Sequence, residues 1–524
     1  MINLIPVPRE YTEDEGYLYL GEEFGIESEI DLPLLEIKPC SSPVLSIKRD
    51  GALDEDEYKL VITKENITIR ASAQLGAYYA LQSLRQLSRY ELGVRRIPCC
   101  TVSDKPEYKW RGLQLDESRH FFGKEEVKRL LDMMFMLKLN VFHWHLTDDQ
   151  GWRIEIKKYP LLTEIGSVRD YTQIGGWNST SIVNERYSGF YTQEDIKEIV
   201  GYAAQRGIMI VPEIDFPAHC ASAIAAYPWL ACRELDRNVP GYFGGAIPEK
   251  RLKQKDWNRT ICLGKDKVTE FVLDVLDEVC GLFPAPYFHI GGDEAPKDEW
   301  QNCPLCQERI RSLGLDGEDG LHGYFNNTVL EHLKKHGKRM IGWNDILRSQ
   351  NLDKSAVVQY WTPKRDRRAE QFVNSGGNLI MSNHKSFYFD MTYAQYPLDN
   401  TYGYSIADYG VKPENRDNIL GLEGELWSEW IDGREKLDFN LHPRAEALAE
   451  VAWSPQGQRN FEDFLQRLDR FKDFLDYLKV GYAADKSSMP KNPALRINIR
   501  NKFLSGDTHM ELKLNRKYKA QGER

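Results

Sequence analysis

Tyr287-Phe288-His289-Ile290-Gly291-Gly292-Asp293-Glu294 is an aromatic, apolar run that ends in two glycines and then two adjacent carboxylic acids. Its first half reads as a strand buried on both faces. The glycines let the backbone pass close to another group as the chain leaves the sheet, and the two acids stand at the strand's carboxyl end. Adjacent carboxylates repel, so one pKa tends to rise and one acid keeps its proton near neutrality. An acid beside an anion is the pair that breaks a glycosidic bond. Most Asp-Glu pairs sit in solvated loops. A buried strand and two glycines ahead of this one argue for a site.

Working outward, seven further strand candidates share the layout: Gly112–Arg119, Val141–Asp149, Ile208–Asp215, Arg339–Asp345, Ala356–Thr362, Asn378–His384 and Ile419–Glu429. Helical patterns fall between several of them, over Glu125–Lys138, Gln193–Arg206, Lys267–Leu282 and Gly323–His336. Eight strand–helix units predict an α/β fold, a closed (β/α)8 TIM barrel over residues 109–456. An open doubly wound sheet would carry a Gly-rich phosphate turn after its first strand, and none is present. Polar residues gather at the carboxyl ends: Arg119 and His120, Asp148 and Asp149, Asp215 with His219 beyond it, Asp293 and Glu294, Trp343 to Asp345, Trp361, Tyr388 and Asp390, and Trp427 and Glu429. A barrel collects those ends on one face, where such barrels keep their active sites.

Residues 1–108 read as a smaller α/β domain, a sandwich of a sheet with helix on one face. Its strand pair, Tyr58–Thr63 and Asn66–Arg70, precedes a helix from Ala77 to Leu87. It shows no chemistry of its own. Residues 457–524 read as a helix, Phe461–Leu478, and a basic tail. Alternating Met510, Leu512 and Leu514 predict a half-buried strand there, as the start of a further module.

The bulk numbers fit this reading. The 524 residues are 41% hydrophobic and 28% charged, an ordinary globular balance. The net charge of −10, without basic clusters, argues against nucleic acid or an anionic membrane as partner. Twelve Trp and 27 Tyr could supply faces for sugar rings, although core packing would claim most of them. No signal peptide is visible at Met1–Glu10 and no window is apolar enough to span a bilayer, so a cytoplasmic location is expected. Nine cysteines, an odd number, fit reduced thiols. Cys303-Pro-Leu-Cys306 has zinc-like spacing, but with no second pair nearby in sequence it is read as two free thiols. His143-x-His145 presents both rings to one face of a strand, as ligands of a metallohydrolase would. Lying several residues before the polar end, they are read as barrel-interior histidines. No metal and no cofactor is expected.

With the strand ends laid out, the chain resembles glycoside hydrolase family 20, the β-N-acetylhexosaminidases. The matching stretches are Leu115-Asp-Glu-Ser-Arg-His-Phe-Phe, Asn140-Val-Phe-His-Trp-His-Leu-Thr-Asp-Asp-Gln-Gly-Trp, Val211-Pro-Glu-Ile-Asp-Phe-Pro-Ala-His, His289-Ile-Gly-Gly-Asp-Glu and Leu426-Trp-Ser-Glu. Ala218 departs from the Gly common in the family, and its methyl is expected to shift His219 slightly without removing a functional group.

The resemblance implies a retaining, substrate-assisted exo-hydrolase acting on terminal β-linked GlcNAc or GalNAc of glycans or glycoconjugates. It implies Glu294 as general acid and then base, and Asp293 as the group that holds the acetamido N–H beside an oxazolinium intermediate. Tyr388 would align the acetamido oxygen, and Trp343, Trp361 and Trp427 would wall in its methyl. Arg119, Asp390 and Glu429 would bind the ring hydroxyls. Asp148 and His219 would form a relay toward Glu294, and Asp215 would orient a loop. Cys232 and Cys262 resemble a pair that some relatives oxidise, and the loop at Tyr242-Phe-Gly-Gly-Ala is expected to shape the aglycone choice. A homodimer is one of the assemblies the resemblance allows. A metal-dependent hydrolase and a non-catalytic sugar-binding protein on the same barrel are the competing readings.

Overall fold

The computed structural model describes residues 2–21, 23–38, 41–91, 94–175, 179–243, 259–349 and 352–524. Eight parallel strands close into a barrel: β1 (Trp110–Asp116), β2 (Val141–His145), β3 (Met209–Glu213), β4 (Tyr287–His289), β5 (Arg339–Trp343), β6 (Val357–Tyr360), β7 (Asn378–Met381) and β8 (Ile419–Leu426), with β8 pairing back to β1. In register, Asp116 on β1 stands beside His145 on β2, His145 beside Glu213 on β3, and Glu213 beside His289 on β4. The strands read as near-continuous apolar runs because both faces are covered; all five residues of Val141–His145 are buried.

The helices between the strands turn an apolar stripe to the barrel. In Asp266–Leu282 the buried residues Val268, Phe271, Val272, Val275, Leu276 and Val279 recur at three- and four-residue spacing. Gln193–Ala204 opens on a capping box, in which Thr192 and Asp195 satisfy each other's backbone N–H groups. The helix expected from Gly323 begins six residues earlier, at Gly317.

Inside the barrel, Trp110, Val141, Val211, Ile341, Val357 and Ile380 form a buried apolar layer. A polar layer adjoins it. His143 contacts Glu423 at 2.7 Å and Glu213 at 3.2 Å, Glu213 pairs with His145, and His289 reaches Glu213 at 2.8 Å. His143 and His145 are thus interior residues tied to carboxylates.

The expected strands overran. The fourth ends at His289, not Glu294, because the chain turns at Gly291 (φ 67°) and Gly292 (φ 87°), backbone conformations that no strand accepts. Apart from Trp343, which closes β5, the polar residues assigned to strand ends therefore lie beyond them.

Ahead of the barrel, a seven-stranded sheet spans residues 10–104, with Tyr58–Ile62 paired to both Ile67–Ala71 and Val94–Asp104. Helix Gln74–Leu87 packs on these strands and meets the barrel domain through Tyr78 on Phe135 (5.3 Å) and Tyr79 edge-on to Trp453 (5.0 Å). Beyond the barrel, the strand expected at Met510 is overturned: Met510–Ala520 is a helix. Its Leu512 is buried against Tyr393, Phe439 and Ala483, and Asn515 bonds the backbone of Ala484 and Tyr482. Three alternating apolar residues are too short a run to separate strand from helix, and the 512/515 spacing of the buried positions is helical.

The reading of Cys303 and Cys306 as a pair with no second pair nearby is also corrected. Cys232 and Cys262, remote in sequence, bring their sulfurs to them in space. All four are free thiols.

Candidate active site

The loops after the strands enclose a cavity of about 510 Å³ at the carboxyl end of the barrel. Of the eleven expected site residues, ten line it; Asp148 lies buried behind them. Ala218 is buried in the core, and His219 beside it still reaches Asp148. Loop residue Phe243 also lines the cavity, whereas Gly244 to Ala246 lie outside the described residues.

The glycines ahead of the acids have a clear steric reason. A Cβ on Gly291 would stand 1.9 Å from Oδ1 of Asp215, and one on Gly292 would stand 2.5 Å from Ile346. Asp215 instead accepts the Gly292 N–H at 3.2 Å, which orients the turn as expected of it. Two site residues hold left-handed backbone without being glycine, His219 (φ 51°) and Glu294 (φ 42°). Each conformation costs about 1–2 kcal/mol and aims a side chain into the cavity mouth.

Asp293 is largely but not fully buried, and its carboxyl is pushed up to about 7. Burial is the main cause, and the Glu294 charge adds to it against the opposing pull of His219. Asp293 is held further inside the fold, while Glu294 stands at the mouth with half its side chain exposed. His219 Nε2 lies 3.7 Å from Asp293 and 3.8 Å from Glu294, and its Nδ1 faces Asp148 at 3.2 Å. Burial disfavours the imidazolium, but Asp148 and then Asp293 outweigh it and hold the ring's pKa well above its ordinary value. Asp148 also meets Arg119 at 2.8 Å and His145 at 3.1 Å. Despite its burial, Arg119 and then His219 keep its carboxyl well below the usual range.

Three tryptophans wall the cavity. The Trp343 indole N–H donates to Glu213 at 2.8 Å, and that of Trp361 donates to Asp345 at 2.9 Å. Trp427 lies 5.7 Å from Trp343 and 6.3 Å from Tyr388, whose ring stacks on Trp361. These two bonds fix the Trp343 and Trp361 rings in the wall, and Trp427 is held by packing on Trp343.

The opposite wall is acidic. Burial, then Glu429, drives Asp390 well above the ordinary carboxylate range. Burial also lifts Glu429 to about 6 against the pull of Arg119. Asp390 Oδ1, Glu429 Oε2 and Asp293 Oδ1 are buried acceptors with no hydrogen-bond donor among the described residues. Much of the Arg119 fork is engaged within the protein, by Gln150 (3.0 Å), Asp116 (3.0 Å) and Asp148, with Glu429 at 3.8 Å.

Several lining residues escaped the sequence reading. Arg259 donates to the Glu294 carbonyl at 3.2 Å and lies 3.5 Å from its carboxylate; no pattern in the sequence marks it. His384 packs 4.5 Å from Tyr388, and burial lowers its pKa to about 4. Gln150 could have been found, since it stands inside the quoted Asp-Asp-Gln-Gly-Trp run.

Comparison with known proteins agrees with this geometry. Residues 108–456 match the family described as glycosyl hydrolase family 20, catalytic domain, and residues 36–105 match glycosyl hydrolase family 20, domain 2. A beta-hexosaminidase of Porphyromonas gingivalis is 37% identical over 92% of the chain, which spans 64% of that relative's length. A GH20 exo beta-N-acetylglucosaminidase of Vibrio harveyi, solved with N-acetylglucosamine, superposes with a TM-score of 0.81 at 32% identity, covering 92% of this chain and 78% of that one. A beta-N-acetylhexosaminidase of Bacteroides fragilis gives 0.79 at 31% identity, over 93% of this chain and 99% of that one. A barrel whose acids, indoles and loop glycines stand as described, with the catalytic-domain family matched along two thirds of the chain, leaves one assignment: the chain belongs to glycosyl hydrolase family 20.

Proposed function

We propose that the chain is an exo-β-N-acetylhexosaminidase that releases terminal, non-reducing β-linked GlcNAc or GalNAc from oligosaccharides or glycoconjugates with retained configuration. One observation carries the reading: three buried carboxylate oxygens, on Asp293, Asp390 and Glu429, lack a donor among the described residues and belong to residues lining one indole-walled cavity. A buried acceptor left unpaired costs about 1–3 kcal/mol. A pyranose bearing hydroxyls and an amide N–H brings donors on its rim and an apolar face for the indoles.

In the first step Glu294 protonates the glycosidic oxygen while the sugar's own acetamido oxygen attacks the anomeric carbon, giving an oxazolinium ring. Asp293 accepts the acetamido N–H and balances the positive charge on that ring. It does so as the anion, so proton release from a group at about 7 sets the lower edge of activity. In the second step the Glu294 carboxylate takes a proton from water as the water opens the ring. Two inversions retain configuration.

Tyr388 hydrogen-bonds the acetamido oxygen, and Trp343, Trp361 and Trp427 hold its methyl in the folded pose. Asp390 and Glu429 accept from ring hydroxyls, joined by whatever part of the Arg119 fork faces the sugar. His219, backed by Asp148, is a cation that stabilises both catalytic carboxylates. A cavity of about 510 Å³ whose wall groups engage the hydroxyls of one terminal sugar favours exo action.

The test is hydrolysis of a chromogenic β-GlcNAc by wild type and Glu294→Gln, beside the β-glucoside of the same aglycone. Wild type is expected to cleave only the N-acetylated substrate, and the variant to lose about 10²–10⁴ in rate. Equal rates for both proteins, or for both sugars, overturn the mechanism. Tight binding without cleavage by wild type makes the chain a sugar-binding protein.

A further inference from the structure

Cys232, Cys262, Cys303 and Cys306 hold their sulfurs within 4.8 Å of one another. Cys262 lies 3.7 Å from Cys306 and 3.8 Å from Cys303, and Cys232 lies 3.9 Å from Cys306. A disulfide needs about 2.05 Å. Four thiolates on a tetrahedral zinc ion, with Zn–S of about 2.3 Å, stand about 3.8 Å apart.

The backbone is built around this cluster. Cys303 caps helix Pro304–Leu313 and Cys306 lies in its first turn, so one pair is the familiar C-x2-C at a helix start. The antiparallel bridge between Ala231 and Ile261 places Cys232 and Cys262 diagonally across it, as the other pair. Gly264 is the close-approach residue, since a Cβ there would stand 2.4 Å from the Cys306 nitrogen. Lys265 ties down the Trp229 and Ala231 carbonyls beside Cys232 at 3.0 and 2.9 Å, its charge paired with Glu234 at 2.9 Å. Three of the four thiols are buried and the fourth is half-buried.

We propose that these four cysteines bind one zinc ion as a structural tetrathiolate, outside the sugar cavity and with no part in bond breaking. Four thiols and Zn²⁺ give [Zn(S-Cys)4]²⁻ and four released protons, with no change in oxidation state. The ion would fasten together two segments that meet at the cavity. Cys232 and Cys262 bracket the chain that brings Phe243 and Arg259 to the pocket, and Cys303 follows shortly after Glu294. Zinc would thus fix Arg259, a positioning residue, against Glu294.

The experiment is metal analysis of the full chain purified without added metal or chelator. One zinc per chain is expected in wild type, lost in Cys303→Ser/Cys306→Ser together with a lowered Tm. Because that variant could fail to fold, wild type is also exchanged into cobalt. Tetrahedral thiolate coordination then gives strong sulfur-to-cobalt charge transfer in the near ultraviolet and ligand-field bands in the red. A wild type that carries no stoichiometric zinc, or whose cobalt form lacks the charge-transfer band, overturns the site. So does zinc content unchanged in the double variant, or recovery of the four cysteines as disulfides under reducing purification.

Discussion

Gly291 and Asp215 are matched by subtraction: the missing side chain of one makes room for the carboxylate of the other. A Cβ on Gly291 would lie 1.9 Å from Asp215 Oδ1, and the φ of 67° is itself unfavourable for any other residue. Gly291→Ala therefore has two costs, about 1–2 kcal/mol of backbone strain and displacement of the Asp215 carboxylate that holds the Gly292 N–H. Asp293 follows immediately, so the expected result is a folded protein of lower Tm whose kcat/KM falls about 100-fold or more. Wild-type kinetics in this variant would show that the turn does not set the position of the acids.

The raised carboxyl of Asp293 makes a prediction about stability with a definite sign. The folded chain keeps this proton up to about 7, whereas the unfolded chain releases it near the ordinary aspartate value. Between those values the native state binds more protons, so this group's contribution to stability falls as pH rises. Asp293→Asn removes the titration. The Tm of the variant minus that of wild type should become more positive from pH 4 to pH 8, by the equivalent of about 1–4 kcal/mol. A difference independent of pH would mean that Asp293 ionises normally in the fold.

The barrel was legible because each strand is buried on both faces and each carries its polar residues beyond one end. The strands read as Val141–Asp149 and Arg339–Asp345 start where expected, although they end earlier, at His145 and Trp343. Strand ends were not legible, since the change from extended to left-handed backbone at Gly291 needs the Asp215 neighbour to explain it. Asp293 and Glu294 stood out by pattern, whereas the roles of Tyr388, Asp390 and Glu429 came from family likeness. Arg259 was invisible: its partner Glu294 is remote in sequence, and a single arginine has no periodicity. The cysteine quartet failed for a related reason. One pair lies within a single helical turn, but the other is made by a bridge that no spacing announces.

Tyr388 separates positioning from binding. Its ring is fixed by stacking on Trp361 at 6.3 Å and against His384 at 4.5 Å, so removing the hydroxyl leaves the wall in place. Tyr388→Phe is expected to lower kcat about 100-fold, in line with the loss of one donor aimed at developing charge. KM should change only a few-fold. Affinity for a thiazoline mimic of the cyclised sugar should fall in step with kcat. A loss confined to KM would assign the hydroxyl to ground-state binding.

Lys138 and Asp104 join the two domains through a buried charge pair. Lys138 Nζ lies 3.3 Å from Asp104 Oδ2 and 2.9 Å from the Tyr58 hydroxyl, while Trp453 donates to Asp104 Oδ1 at 2.9 Å. Asp104 and Tyr58 belong to the sheet domain, and Lys138 and Trp453 to the barrel. Burial pulls the ammonium down to about 8 even with Asp104 opposing it. Asp104→Ala would strand that cation in an apolar interface, at a cost of about 3–5 kcal/mol. Asp104→Asn/Lys138→Met removes both charges and should recover much of the loss, a coupling that denaturant unfolding of the two singles and the double can measure. If Asp104→Ala unfolds like wild type, the pair does not hold the domains together. If the double variant is destabilised by the sum of the two singles, the charges act separately and the interface is secured by the Tyr79–Trp453 and Tyr78–Phe135 contacts.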